Sequence, residues 1–99
     1  VSDYADLQRR DRRRDILGFV AEAAGYTSNG DVLLAMLRGV GHWITTDQIV
    51  TDLHWLREQG FVDLDDHEGF VVVTATVRGI ELAAGIARHP EVSRPRPGH

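Results

Sequence analysis

Ninety-nine residues, 42% of them hydrophobic and 26% charged, with a formal charge of −4 and no cysteine, make one domain around one core. The absence of cysteine excludes disulfides, thiolate catalysis and cysteine-based metal sensing, and no run nears the roughly 18 apolar residues of a membrane span. The acidic balance argues against nucleic-acid binding driven by a diffuse positive field alone. The charged opening residues read as no secretory signal, so a cytoplasmic location is the expectation.

From Asp3 to Ala24 the residues favour helix, with Ser2 or Asp3 able to cap its start and Gly25 at its stop. At about 100° per residue, Ile16, Val20, Ala23 and Ala24 share one side, and Asp11, Asp15 and Glu22 fall opposite. All the basic residues of the chain are arginine, and Arg9, Arg10, Arg12, Arg13 and Arg14 crowd into this helix, a basic arm on an acidic body. Arg9 and Arg13 project onto the apolar side, where an unpartnered charge cannot enter a core. The first half of the helix is therefore expected to overhang the domain or to dock on something acidic.

Ser28-Asn29-Gly30-Asp31 reads as a capping box before a second helix that carries Val32, Leu33, Met36, Leu37 and Val40 and ends at Gly39 and Gly41. His42-Trp43-Ile44 is expected to be a short extended connector with one strand rung. Thr45 to Gln48 is a second capping box. It opens a third helix that runs to about Gln59, with Ile49, Leu53 and Leu56 as its buried stripe. Phe61–Asp65 and Phe70–Thr76 are expected to be strands joined by a turn at Asp66–Gly69. Thr76 can cap a last helix with Val77, Ile80, Ala83, Ala84 and Ala87. From His89 three prolines deny any regular element.

The order helix, helix, short strand, helix, strand, turn, strand, helix is that of a winged helix-turn-helix, with the third helix as candidate groove reader and the hairpin as wing. The expected class is thus α+β, mainly α: a winged-helix domain over residues 1–88, with 1–14 as an Arg-rich helical extension, and a disordered Pro-rich tail over 89–99.

The stretch Ile44-Thr45-Thr46-Asp47-Gln48-Ile49-Val50-Thr51-Asp52-Leu53-His54-Trp55-Leu56-Arg57-Glu58-Gln59-Gly60-Phe61-Val62 resembles the third helix and first wing strand of ArsR- and MarR-type bacterial regulators. Thr76-Val77-Arg78-Gly79 is similar to the step by which such domains enter the helix after the wing. The whole chain, with its opening Ser-Asp-Tyr-Ala-Asp and arginine run, also looks like a small ArsR-like protein of Mu-like phages and prophages. That resemblance implies a winged-helix transcriptional regulator. Metal-sensing ArsR proteins use cysteines, so no metal response carries over.

On the third helix, Gln48, Thr51 and His54 are the candidates for reading bases, since an amide can pair with adenine and a hydroxyl is tolerant. Asp47 and Glu58 add negative charge to the same face, which opposes a duplex. Asp47 also suits the helix dipole of the first turn. Arg9, Arg10, Arg13 and Arg14, with Arg94 and Arg96, are candidates for phosphate contact. The arginine run reads equally as a solvated helix laced by pairs such as Asp6–Arg10, or as a dock for acids of another subunit. Tyr4, Leu7 and Trp55 are interface candidates, Trp55 packing on its own chain being the alternative. Trp43 is expected at the core or its rim. The wing tip Asp65-Asp66-His67-Glu68 is acidic, so this wing is expected not to touch DNA.

The five histidines show no metal-ligand spacing, and Gly39-Val40-Gly41-His42 is a helix stop, not a phosphate cradle. No enzyme activity, metal or cofactor is therefore expected. The leading expectation is a homodimer that binds double-stranded DNA, with Tyr4–Arg14 in the dimer interface. The rival is a winged helix that serves protein–protein contact in a phage complex.

Overall fold

The computed structural model describes residues 3–97. Ser2, one of the two candidate caps, lies outside them, as do the last two residues of the expected tail. Four helices and a three-stranded antiparallel sheet follow in the order α1 (Asp3–Glu22), β1 (Thr27–Asn29), α2 (Gly30–Gly39), α3 (Thr46–Glu58), β2 (Val62–His67), β3 (Phe70–Ala75) and α4 (Val77–Ala83). The strands lie in the order β1-β3-β2. This is the winged helix-turn-helix arrangement, α+β and mainly helical, with β2 and β3 as the wing.

The short strand sits before α2, not between α2 and α3 as expected. Thr27, Ser28 and Asn29 pair with Thr74, Val73 and Val72, and the Thr27 and Thr74 hydroxyls lie 3.2 Å apart. His42-Trp43-Ile44 instead turns tightly: His42 N donates to Leu37 O at 2.9 Å and Ile44 N to His42 O at 3.1 Å. Ile44 enters the core, while Trp43, expected at the core or rim, is thrown outward and is 84% exposed. The α2 cap also shifts by one residue. Asn29, the last residue of β1, caps the helix, its Oδ1 accepting from Val32 N at 2.9 Å. The face that α2 buries is then Leu33, Leu34 and Leu37, leaving Val32, Met36 and Val40 exposed.

The α3 capping box forms as expected. Thr45 Oγ1 accepts from Gln48 N at 3.2 Å and Gln48 Oε1 accepts from Thr45 N at 2.8 Å. Ile49, Leu53 and Leu56 are buried against Ile16, Leu17 and Val20 of α1 and Val73 of β3 in one core. Strand β2 begins one residue later and ends two residues later than expected: His67 pairs with Phe70, so only Glu68 and Gly69 turn the chain, Gly69 at φ +86°. Thr76 Oγ1 accepts from Gly79 N at 3.1 Å and donates to Gly60 O at 2.7 Å. A Cβ at Gly79 would stand 2.0 Å from Phe61 O. That close approach is the physical reason for Gly in the Thr-Val-Arg-Gly step. The last helix stops at Ala83, short of the expected Ala87, where Gly85 turns at positive φ.

Residues 89–97 form no helix, yet they are not the disordered tail expected. Val92 is buried in the core, Ser93 N donates to Arg10 O at 3.2 Å, and Arg13 Nη1 donates to Glu91 O at 3.0 Å. His89 sets its ring edge-on to Trp55 and Phe61, at 5.3 and 5.6 Å. The prolines exclude regular structure but leave an extended strap that covers α1 and the end of α3.

Candidate functional site

In a winged helix the outer side of α3 and the adjoining hairpin form the working face. Here α3 exposes Thr46, Asp47, Gln48, Val50, Thr51, Arg57 and Glu58, with His54 half-buried against the wing. Of the three base-reading candidates, Gln48 has its carbonyl committed to the capping box, and Thr51 Oγ1 donates to Asp47 O at 3.1 Å. His54 lies apart from both, in a recess with Leu64, Asp66 and Val71. The three therefore do not form one reading surface: Gln48 and Thr51 are exposed on α3, and His54 turns towards the hairpin.

The arginines are largely spent within the chain. Arg12, not among the phosphate candidates, grips Asp52 of α3 with two bonds, Nε to Oδ2 at 2.7 Å and Nη2 to Oδ1 at 3.2 Å. Asp52 is 2% exposed. Arg13, which the sequence placed outside any core, is 7% exposed. Its guanidinium lies 3.7 Å from the centre of the Trp55 ring. Burial pushes Arg13 below its usual pKa, while nearby Asp52 and Glu91 pull the other way. Arg14 pairs with Asp15 at 3.1 Å and Asp11 at 3.4 Å, and Arg9 pairs with Asp6. Of the six phosphate candidates, Arg10 and Arg94 make no ion pair among the described residues.

Asp15, expected on the solvent side of α1, is buried. Its Oδ2 takes His42 Nε2 at 2.7 Å and Arg96 Nη2 at 3.3 Å. These contacts tie α1 to the helix-turn-helix linker and to the strap. Arg94 stays exposed. The acidic dock foreseen for the arginine helix thus exists, but it belongs to the same chain. Trp55 is consumed in the same joint, beneath Arg13 and beside His89, and so is no free interface residue. Tyr4 and Leu7 remain exposed on the first turns of α1.

What the sequence did not disclose is a groove of about 300 Å³ between the start of α2, the first half of α3 and the wing. Its floor is Leu34, Ile49 and Leu53, with Val50, Phe70 and Val71 on its walls, and Asp31 and Asp66 at its edge. His67 stacks on Phe70 at 5.5 Å, closing the hairpin end. Asp47 and Glu68 sit on the same elements. No arginine pairs with Asp31, Asp47, Asp66 or Glu68 among the described residues. Chemically this is an apolar slot with an unneutralised acidic rim. No group of three metal-capable side chains gathers among the described residues, and no helix there is long and apolar enough to cross a membrane.

Fold and face together define a small winged-helix domain with an acidic third helix and wing. The chain is 37% identical over 92 residues to the uncharacterized protein gp26 of Escherichia phage Mu, spanning 93% of this chain and 95% of gp26. An uncharacterized protein of Haemophilus influenzae is 33% identical over 81 residues, 81% of this chain and 78% of that protein. The chain belongs to the family of phage Mu gp26. No protein-family model matches it.

Proposed function

We propose that this domain works by protein–protein contact, holding a basic, apolar-anchored segment of another protein of a Mu-like phage in the groove between α3 and the wing. The observation that carries this reading is the groove itself, an apolar slot whose Asp31 and Asp66 have no ion-pair partner among the described residues, on the face a winged helix would turn to a duplex. A duplex carries one negative charge per about 1.7 Å of its axis, and phosphate contacts supply much of the affinity of its readers. Asp47 and Glu58 on α3 and the wing acids would meet that charge, and Arg12, Arg13 and Arg14 are held in intrachain contacts. An apolar slot gives a docking side chain its affinity, and the acidic rim selects a basic flank.

Fluorescence anisotropy with two probes tests the reading. One probe is a labelled amphipathic peptide with a Leu and Phe face flanked by arginines, and the other is a labelled random duplex at low salt. The peptide should bind, and Phe70→Ser or Asp66→Asn should weaken it by about tenfold or more. Binding of the duplex instead, with a steep salt slope and tightened by Asp47→Asn, would favour the DNA-binding regulator.

A further inference from the structure

The α2 segment, Gly30-Asp31-Val32-Leu33-Leu34-Ala35-Met36-Leu37-Arg38-Gly39, is apolar on every side except at Asp31 and Arg38. Helices of that kind are ordinarily covered all round. Here Leu33, Leu34 and Leu37 enter the core, while Val32, Ala35, Met36, Gly39 and Val40 lie in solvent. At about 100° per residue these exposed positions fill one continuous face. Beyond its C-terminal end stands Trp43, 84% exposed. A bulky side chain of that kind is found in solvent chiefly where a partner surface receives it.

The charge pattern identifies the partner. Asp31 and Arg38 lie two turns apart along the same edge of the apolar face, close to its two ends. Two copies of α2 packed antiparallel about a two-fold axis keep like edges together and reverse the direction of each helix. Asp31 of each copy then meets Arg38 of the other, twice per pair. Val32 falls opposite the small Gly39 of the second copy, and Ala35 and Met36 flank the axis, which allows close approach of the helices. Arg38 Nη2 donates to Ile44 O at 3.1 Å beside Trp43, and its guanidinium makes no ion pair among the described residues.

We infer that the outer face of α2, with Trp43, is a self-complementary surface through which two copies of this chain pair antiparallel. The pairing uses the outer face of α2, which meets the α3–wing groove only at Asp31, and does not rest on the function proposed for that groove. It leaves Tyr4 and Leu7 of α1 outside the interface.

Sedimentation equilibrium across a concentration series, followed in parallel by tryptophan emission, tests the inference. The wild-type chain should form a reversible dimer, with emission shifting to the blue as it associates. Trp43→Phe should remove that shift. Met36→Glu, at an exposed site that leaves the core intact, should weaken the dimer by about 30-fold or more. Asp31→Arg and Arg38→Asp should each weaken it by about tenfold through like-charge contact, and the double swap should restore it. Where a swap disturbs the fold by circular dichroism, Met36→Glu and Trp43→Ser decide alone. Phe70→Ser and Asp66→Asn should leave the dimer unchanged. A chain that stays monomeric at high micromolar concentration overturns the inference. So does a dimer indifferent to Met36→Glu, which would place the contact elsewhere, for example on α1.

Discussion

Substituting Asp52 by Asn removes one charge from the joint between α1 and α3 and changes little in volume. In the wild-type chain Asp52 receives two bonds from Arg12, at 2.7 and 3.2 Å, and lies near the buried Arg13 guanidinium. The amide can accept one of these bonds but offers no counter-charge, so the mostly buried Arg12 guanidinium is left without one and Arg13 keeps only Glu91. Deleting one member of a buried pair costs about 3–5 kcal/mol. Part of the Arg12 charge reaches solvent, so about 3 kcal/mol is the expected loss. In a domain of this size that lowers the midpoint of thermal unfolding by about 12–24 °C. The contrast lies on the same helix: Asp47→Asn, exposed and unpaired, should change stability by less than about 0.5 kcal/mol. Urea unfolding followed by tryptophan emission in a Trp43→Phe background reports the joint directly, because the Trp55 ring lies under Arg13. Arg12→Met combined with Asp52→Leu should recover most of the loss, since an apolar pair can replace a buried ion pair. A loss below about 0.5 kcal/mol for Asp52→Asn would refute the claim that this pair clamps α1 to α3.

Gly79→Ala should destabilise by about 3 kcal/mol, because its Cβ would stand 2.0 Å from the Phe61 carbonyl; calorimetry against Gly18→Ala, where nothing lies within 4 Å, isolates the clash. Leu53→Ala should cost about 2–5 kcal/mol by opening the core, whereas Gln48→Ala should cost about 1 kcal/mol through the lost capping-box bond, and equal losses in denaturant titrations would contradict the assigned faces of α3. Ending the chain at Arg88 removes Val92 from the core and His89 from Trp55; tryptophan emission should move to the red and proteolysis within α1 should accelerate, and an unchanged spectrum would mean that the strap does not cover this ring.

Features closed by neighbours in sequence were legible from sequence. Thr45 and Gln48 cap each other within four residues, Thr76 caps α4, and the stripe Ile49, Leu53 and Leu56 lies on one helix. What escaped was decided by distant partners. Thr27-Ser28-Asn29 holds three polar residues and becomes a strand only because the edge of β3 accepts it. Trp43 reads as apolar and therefore inward, yet the bond from His42 N to Leu37 O rotates it outward. The joint between α1 and α3 was half visible. Arg13 on the apolar side of one helix and Asp52 within the apolar stripe of another are each out of place alone. Taken together they predict contact, because a buried charge needs a counter-charge. The groove had no signal in sequence, since its walls come from three elements that meet only when the hairpin folds over α3.

The strap closes the molecule on itself across nearly its whole length. Arg13 with Glu91, Arg96 with Asp15 and Ser93 with Asp11 join positions 78, 81 and 82 residues apart. Contacts of such separation carry the entropy of closing a long loop and slow folding relative to local ones. During synthesis α1 is made well before the strap, so the groups that bond to Asp11, Arg13 and Asp15 arrive only as residues 91–96 are added. Until then Asp11, Asp15 and the arginine run stand ready for other company. The nascent chain therefore passes through a stage in which the polar side of its first helix is unsealed. The closing of the strap ends that stage.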